Sequence, residues 1–304
     1  MHAARALWWI GVSASVSCAA APPRPSVRET ASADPVQLAY ADIGAGSPIL
    51  FVHGAYGDLR TFRRALPILA STRRVIVPSL RYHWPNPWPG DEEAYRGYTV
   101  ENHARDLAGL IERLGVGSVD LVAHSYGGNV AVLLALSRPD LVRRLVLLEP
   151  AVGWMLREVP GGDAILAKGL YAGDRRERLI SRARAGEEPA SLMRSLIDGS
   201  RPGTFDALPA DDRTSLVENA KLIGPYAARP AFDTPFTCEA ARRIRQPTLL
   251  VHGEKTAESF REIVARFASC APGARTSVLP GSTHSMQSDA PEDMARIVVE
   301  FLGG

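Results

Sequence analysis

Short apolar runs alternate along most of the chain with longer segments whose apolar residues recur at helical spacing. The runs are rich in β-branched residues, which is typical of buried strands. They predict seven strands, over residues 37–43, 49–52, 74–77, 119–122, 145–148, 248–252 and 276–279. Because strands that alternate with helices form mostly parallel sheets, the pattern predicts an α/β fold with right-handed crossovers.

The clearest helical segment covers residues 99–114, where Thr99 can cap the first turn and Gly115 follows the last. The segment 61–70 contains Pro67, which could break the helix there. Further helices are predicted over 129–136, 259–271 and 291–302.

The pattern changes between residues 151 and 234, where no run is convincing as a strand. Helical segments punctuated by Gly and Pro are predicted there, over 164–171, 175–185, 190–197 and 213–223. We therefore expect a helical segment inserted between two strands of the sheet. A separate loop, 81–90, carries aromatic residues and is expected to line a pocket.

The amino terminus has a composition of its own. An apolar run over 6–16 precedes small residues and two prolines, so residues 1–21 are typical of a secretory signal peptide. Cys18 lies where a lipoprotein cysteine would lie, and it is either removed with the leader or lipidated. Residues 22–35, rich in Pro, Ser, Ala and Arg, are predicted to be a flexible linker. Together these features predict export, with a periplasmic, secreted or lipid-anchored product.

Composition narrows the classes of partner. The chain has 304 residues, a formal net charge of +2 and no long basic run, so neither nucleic acid nor electrostatic membrane binding is favoured. Membrane contact is expected only through lipidation of Cys18. With Cys18 removed or lipidated, Cys238 and Cys270 remain as an even pair in an oxidising compartment. They predict a disulfide, with two buried free thiols as the alternative.

Residues 118–130 predict a strand, a tight turn and a helix, with Ser125 at the turn. Ala123 and Gly127 are small residues two positions before and after the serine, which lets the strand enter the helix without a clash. This is the nucleophile-elbow pattern with alanine in place of the first glycine. The alternative is a serine in an ordinary βα turn, because short motifs also occur by chance.

Two histidines add to this pattern. The strand 49–52 leads into His53-Gly54-Ala55, a glycine-flanked loop that presents backbone N–H groups at the carboxyl end of a strand. His284 comes late in the chain, in a loop before the last helix. A serine hydroxyl is a poor nucleophile until an imidazole takes its proton, so Ser125 and His284 are candidate partners. No group of residues has metal-ligand spacing, and no cofactor is expected.

In this order, the elbow, the His53-Gly54 loop, the helical insertion and His284 make the sequence resemble the α/β-hydrolase superfamily, over about residues 36–304. The resemblance implies an eight-stranded, mostly parallel sheet with helices on both faces. It implies a core of residues 36–150 and 235–304 and an inserted helical cap of residues 151–234.

The resemblance also implies site residues. Ser125 matches the nucleophile and His284 the base, and the backbone N–H groups of Ala55 and Tyr126 match the donors of an oxyanion hole. These residues imply hydrolysis through a covalent intermediate on the serine.

The acid of the triad is where the sequence departs from the family pattern. The commonest acid position, three residues after Gly253, holds Thr256, which cannot carry a negative charge. Glu149, Glu254 and Glu258 could replace it. Glu149 is preferred because it ends the sixth strand, where some relatives place the acid, and because a buried charge needs a partner. A site without a working acid is the remaining alternative.

The main hypothesis is a serine hydrolase that cleaves a small-to-medium carboxylic ester or lactone, a small-molecule substrate suited to an enclosed apolar pocket. The same triad could instead cleave a carbon–carbon bond. A third hypothesis is a ligand-binding protein that keeps the scaffold without catalysis, which Thr256 supports. Serine at the elbow argues against dehalogenation and epoxide opening, because an alkylated serine is an ether that cannot be hydrolysed as an ester is.

Overall fold

The computed structural model describes residues 27–29, 36–168, 174–199 and 202–303. The predicted signal peptide, with Cys18, lies outside the described residues, and so does the predicted linker apart from residues 27–29. In the part of the chain that is described, no helix is long and apolar enough to cross a membrane.

One sheet of eight strands, ordered β1-β2-β4-β3-β5-β6-β7-β8, forms the centre of the molecule. The strands are β1 Val27–Glu29, β2 Ala39–Ile43, β3 Pro48–Val52, β4 Arg74–Pro78, β5 Val119–His124, β6 Val142–Leu148, β7 Thr248–Gly253 and β8 Arg275–Leu279. Among the described strands, β2 pairs antiparallel with β1 and with β4, and the strands from β4 to β8 in the sheet order are parallel. The predicted eight-stranded, mostly parallel α/β sheet is confirmed.

The strand β1 corrects the prediction of a linker over residues 22–35, because three of its residues pair with β2. Val27 lies opposite Ala41 and Glu29 opposite Ala39. An edge strand this short is held by backbone hydrogen bonds to one neighbouring strand only. It does not require alternating apolar residues, so the sequence contains no pattern from which it could be predicted.

Helices cover both faces of the sheet. Their bounds are α1 Leu66–Leu69, α2 Asp91–Gly97, α3 Val100–Leu114, α4 Tyr126–Ser137, α5 Gly162–Leu166, α6 Asp174–Arg184, α7 Pro189–Ile197, α8 Thr204–Ala207, α9 Ala210–Glu218, α10 Ile223–Ala228, α11 Cys238–Arg242, α12 Glu258–Cys270, α13 Met286–Asp289 and α14 Pro291–Leu302. Short 3₁₀ turns lie at Pro139–Leu141, Gly153–Glu158, Ala220–Leu222 and Ala231–Asp233. Apolar side chains of α3, α4 and α12 pack on one face of the sheet, and those of α1 and α14 pack on the other.

Local sequence signals explain where some of these helices begin and end. The Thr99 side chain accepts a hydrogen bond from the Asn102 amide and caps α3, and Gly115 ends it in the left-handed conformation, as predicted. The helix predicted over 61–70 shrinks to the single turn of α1, which begins beside Pro67. Proline is tolerated in a first turn and not further inside, so it sets the start of that helix.

The segment between β6 and β7 is helical, as the cap prediction expects. The described residues of 151–234 contain helices and 3₁₀ turns and no strand. Ion pairs join this cap to the core, including Arg64 with Asp211 at 2.8 Å and Arg60 with Glu218 at 2.6 Å. The side chain of Asn219 also donates a hydrogen bond to Asp58 at 2.9 Å.

A disulfide joins Cys238, at the start of α11, to Cys270, at the end of α12. The two Cα atoms lie 5.2 Å apart, within the usual span of a disulfide. The bond closes a loop of 32 residues that contains β7. Such a bond stabilises the fold mainly by restricting the unfolded chain.

Candidate active site

Ser125 lies in the turn between β5 and α4, at the carboxyl edge of the sheet. Its φ of 54° and ψ of −120° are strained for a residue with a side chain, at a cost of about 1–3 kcal/mol. The turn is tight because Gly127 lies against β3, and a Cβ atom at Gly127 would come 2.7 Å from the carbonyl oxygen of Val52. Gly127, one of the two small residues on which the elbow prediction rests, therefore has a steric role here.

The structure brings Ser125, His284 and Glu149 together in one chain of hydrogen bonds. The Ser125 Oγ lies 3.0 Å from Nε2 of His284, and Nδ1 of His284 lies 2.6 Å from Oε2 of Glu149. Since an ionised carboxylate only accepts, Nδ1 carries the proton and Nε2 is free to accept the serine proton. A proton can therefore pass from the hydroxyl to an imidazole whose other nitrogen faces a negative charge.

Glu149 directly follows β6 and is fully buried. Its φ of 45° is in the left-handed region, so this residue is strained as Ser125 is. Three donors reach its carboxylate. Gly253 N–H donates to Oε1 at 2.7 Å, and the Thr256 hydroxyl donates to Oε2 at 2.8 Å, beside His284. A buried charge with this many donors has the partners that it requires.

Sequence reasoning missed the contact of Thr256 with Glu149. In the sequence, Thr256 stands out only as a residue that cannot carry the charge of the acid, and its role as a hydrogen-bond donor is not predicted. The signal was present, since a side chain at the commonest acid position points towards the same histidine. A small polar residue there can be expected to touch an acid that has moved to the neighbouring strand.

The other two candidate acids do not contact His284. Glu254 is exposed and accepts a hydrogen bond from the backbone N–H of Gly281 at 2.7 Å. Glu258 is also exposed and pairs with Lys168 of the cap at 2.9 Å. The Glu254 carboxylate, the alternative acid, is thus bonded to the start of the histidine loop, and the hydrogen bond to the ring comes from Glu149.

Several groups hold the loop that carries His284. Asp289 accepts hydrogen bonds from the backbone and the hydroxyl of Thr283, at 2.7 and 2.6 Å. Nε2 of His124 donates to the carbonyl oxygen of His284 at 2.8 Å. Phe260 stacks on the imidazole of His284, with ring centroids 4.1 Å apart and planes at 12°. Contacts to the ring edge, the ring face and the backbone of His284 thus hold its imidazole next to Ser125.

Ala55 and Tyr126, the expected oxyanion donors, flank Ser125. The strands before them are neighbours, with Val52 opposite Ala123, and a Cβ atom at Gly54 would lie 3.2 Å from Cβ of Ser125. Tyr126 is the first residue of α4, and N–H groups in a first helical turn have no partner within the helix.

The peptide that carries the N–H of Ala55 is held in orientation by His53. Nδ1 of His53 donates to the Gly54 carbonyl at 2.8 Å, and Nε2 accepts from the Leu80 amide at 3.0 Å. Burial lowers the pKa of His53 to about 4, against smaller opposing effects of the Gly54 carbonyl and Asp58. His53 is therefore neutral near pH 7, as its two backbone partners require.

His83, His103 and His124 are also buried and neutral. Burial, and then the neighbouring His284, lower the pKa of His124 well below its usual value. His83 and His103 are fully buried beside Tyr98, and burial lowers their pKa values in the same way. His83 belongs to the loop predicted to line a pocket, and the structure places it in the core instead of at a surface. Within the described ranges, no three His, Cys, Asp or Glu side chains are grouped as metal ligands.

A family model described as the alpha/beta hydrolase family matches residues 49–297. Haloalkane dehalogenase 2 of Mycobacterium bovis is 27% identical over 285 residues, which cover 88% of this chain and 92% of that protein. The 2-hydroxy-6-oxo-2,4-heptadienoate hydrolase of Pseudomonas putida is 27% identical over 270 residues, with 86% and 91% covered.

The fold has solved counterparts as well. A thermophilic esterase from Thermogutta terrifontis superposes with a TM-score of 0.71 at 25% identity, over 92% of this chain and 98% of the esterase. The matched residues include the elbow and the histidine loop, which carry the sequence resemblance, and they also include Glu149. The relatives are hydrolases of several kinds, and this chain belongs to the alpha/beta hydrolase family.

Proposed function

We propose that the protein is a serine hydrolase that cleaves a small-to-medium carboxylic ester or lactone through an acyl-enzyme at Ser125. The observation that carries the proposal is the continuous chain of hydrogen bonds from Ser125 through His284 to Glu149. The order of hydroxyl, imidazole and carboxylate along that chain is the one that nucleophilic catalysis requires.

In the proposed reaction, Oγ of Ser125 attacks the ester carbonyl carbon while Nε2 of His284 takes its proton. Glu149 orients the imidazole and stabilises its charged form. The backbone N–H groups of Ala55 and Tyr126 donate to the oxyanion of the tetrahedral intermediate, and such donors contribute about 3 kcal/mol each in other enzymes. His284 then protonates the leaving alkoxide, and the reverse sequence with water releases the acid.

The serine separates this chemistry from that of the dehalogenase relative. Displacement of a halide by Ser125 would leave an alkyl ether on the enzyme. Water can hydrolyse an acyl-serine at its carbonyl carbon, whereas an ether has no such carbon. The proposal therefore takes an acyl and not an alkyl intermediate.

Carbon–carbon bond hydrolysis is the second candidate. The P. putida relative is named for hydrolysis of a 2-hydroxy-6-oxo-dienoate, and the same serine, histidine and acid would serve it. Product analysis with a dienone of that class against simple esters distinguishes the two activities. The non-catalytic hypothesis rests mainly on Thr256, which occupies the commonest position of the acid. It is disfavoured because the Thr256 hydroxyl donates to Glu149, the carboxylate that we propose as the acid instead.

Export remains part of the proposal. It is supported by the signal-like residues 1–21 and by the disulfide between Cys238 and Cys270, a bond typical of oxidising compartments. Fractionation of the native host tests it. Recovery of the protein from the cytoplasm with Met1 intact would contradict it.

The central experiment measures hydrolysis of p-nitrophenyl esters of increasing chain length by the wild type and by Ser125→Ala. We expect the substitution to lower kcat on the order of a millionfold, as loss of the nucleophile does elsewhere. Labelling by an organophosphonate probe should disappear with it. Ser137→Ala, at the exposed end of the same helix, is the matched control and should retain both. Ester hydrolysis that survives Ser125→Ala would defeat the proposal.

A further inference from the structure

The hydroxyl of Thr256 reaches the acid at the oxygen that also serves the histidine. Its Oγ1 lies 2.8 Å from Oε2 of Glu149, and Nδ1 of His284 lies 2.6 Å from the same atom. Thr256 is 5% exposed, so water has little access to replace this donor. Because an ionised carboxylate has no proton to give, the threonine hydroxyl must be the donor.

The backbone around Thr256 holds that donor in place. Its N–H group bonds to the carbonyl oxygen of Gly253 at 3.3 Å, and its own carbonyl accepts from Nη1 of Arg261 at 2.8 Å. Threonine also has few rotamers, because two heavy atoms branch from its Cβ. The hydroxyl is therefore a fixed point, whereas a free Glu149 side chain would have several rotamers.

Glu149 needs such a fixed point more than an acid on a relaxed backbone would. Its φ is in the left-handed region, and the side chain must cross from β6 towards the loop of β8. Gly253 N–H holds one oxygen, which still permits the carboxylate to swing about that contact. The Thr256 hydroxyl holds the other oxygen and fixes the plane in which the carboxylate faces His284.

We propose that Thr256 is a positioning residue that holds the carboxylate of Glu149 towards Nδ1 of His284, an inference that rests on the proposed serine-hydrolase mechanism. The end of β7 thus acts on the triad without supplying its acid. A consequence is that residue 256 still points at the triad, so a carboxylate placed there can serve His284 when Glu149 cannot.

The first test compares Thr256→Val, which keeps the shape and removes the hydroxyl, with Thr256→Ser, which keeps the hydroxyl. We expect Thr256→Val to lower kcat for a p-nitrophenyl ester about tenfold to a hundredfold, the range for a hydrogen bond to a charged group. KM should change less than about twofold, since the residue does not contact substrate, and Thr256→Ser should recover most of kcat.

Thr248→Val is the matched control. Thr248 is a buried threonine at the start of β7, the end of the strand opposite to Thr256, and its hydroxyl donates to the carbonyl of Gln246. It should retain wild-type kcat. Thermal unfolding of all variants establishes that the folded fractions are equal at the assay temperature. If Thr256→Val keeps wild-type kcat, or if Thr256→Ser is as impaired as Thr256→Val, the positioning role is wrong.

A second test moves the acid. Glu149→Gln combined with Thr256→Asp should be at least about tenfold more active than Glu149→Gln alone, because the new carboxylate can meet His284 from β7. A double variant no more active than Glu149→Gln would contradict the statement that residue 256 reaches the triad. Failure of the proposed function looks different: Ser125→Ala and Glu149→Gln would then keep full activity, whatever residue 256 is.

Discussion

The ends of β6 and β7 are neighbours in the sheet, and both face the loop that carries His284. The end of β6 supplies Glu149, fully buried on a strained backbone, and its carboxylate meets the imidazole. The end of β7 supplies Glu254, which is exposed and whose carboxylate accepts a hydrogen bond from Gly281 at the start of the histidine loop. Two carboxylates at equivalent strand ends thus have different tasks, because the backbone conformation at each end sets the direction of the side chain.

Residues at the end of β7 also hold the residue at the end of β6 in place by hydrogen bonds. Gly253 and Thr256 both donate to Glu149, and the amide of Lys255 donates to the carbonyl of Ser282 at 2.8 Å. The position that carries the acid in the commonest family pattern is therefore occupied by a residue that donates a hydrogen bond to Glu149.

Replacing Glu149 and Glu254 each by glutamine should give the largest difference between the ends of β6 and β7. We expect Glu149→Gln to lower kcat about 10³- to 10⁴-fold, because the amide no longer stabilises the imidazolium or selects its tautomer. Glu254→Gln keeps an oxygen that can accept from Gly281, and its effect should stay below about tenfold. Steady-state kinetics with one p-nitrophenyl ester measure kcat for both variants. A larger loss in Glu254→Gln would reverse the assignment of the acid.

A larger residue in place of Gly253, the last residue of β7, should displace the loop that carries His284. A Cβ atom at Gly253 would lie 2.3 Å from the carbonyl oxygen of Ser282, so Gly253→Ala must displace backbone. We expect the free energy of unfolding to fall by about 3 kcal/mol, with kcat lowered as well. Urea unfolding measures the first effect.

The control for that variant is Gly109→Ala, in the middle of α3, where the nearest atom to a new Cβ is the flexible end of Arg113. It should stabilise the protein by about 0.5–1 kcal/mol, since alanine favours a helix over glycine. Equal unfolding free energies for Gly253→Ala and the wild type would mean that the two loops can separate without cost.

Acid should destabilise the fold at the carboxyl ends of β3 and β5, where burial lowers the pKa values of His53 and His124. The pKa of His53 is about 4 in the folded protein and its ordinary value is 6.5, so between these values the unfolded chain binds more protons. The free energy of unfolding should therefore fall as pH falls, by about 2 kcal/mol between pH 7.5 and 5 from His53 alone.

Urea unfolding across this range measures that slope, and His53→Gln, which cannot titrate, should reduce it. His124 should add to the slope in the same direction, because burial lowers its pKa too. A stability that is flat from pH 7.5 to 5 would show that these rings take up protons without loss of their contacts.

Much of the fold followed from local patterns. The seven strands of the core, the capped helix α3 and the serine elbow depend on apolar runs, a Thr–Gly pair and small residues, all of which act within a few residues. The strand β1 and the helix α2 were missed, because a three-residue edge strand and a seven-residue polar helix leave only weak local signals.

The residues of the site also fall into those that local patterns predict and those that they do not. Ser125, His284 and the loop of Ala55 could be located because each is attached to a strand end with a recognisable neighbour. Glu149 was preferred over Glu254 by an argument about buried charge, and its contact with His284 agrees with that preference. The contacts of His124 and Thr256 join the ends of β5 and β7 to the histidine loop and to Glu149, and residues so far apart along the chain meet only in the folded sheet.

By itself, the sequence determined the class of the fold, the position of the elbow and the set of carboxylates that could serve as the acid. Only the tertiary structure decided which carboxylate turns inward, since that depends on a left-handed φ at residue 149 and on donors from β7, 104 and 107 residues away along the chain. Hydrophobic patterning acts through near neighbours and is legible in a sequence. The direction of a buried charge is set by its hydrogen-bond donors, which come together only when the sheet has formed.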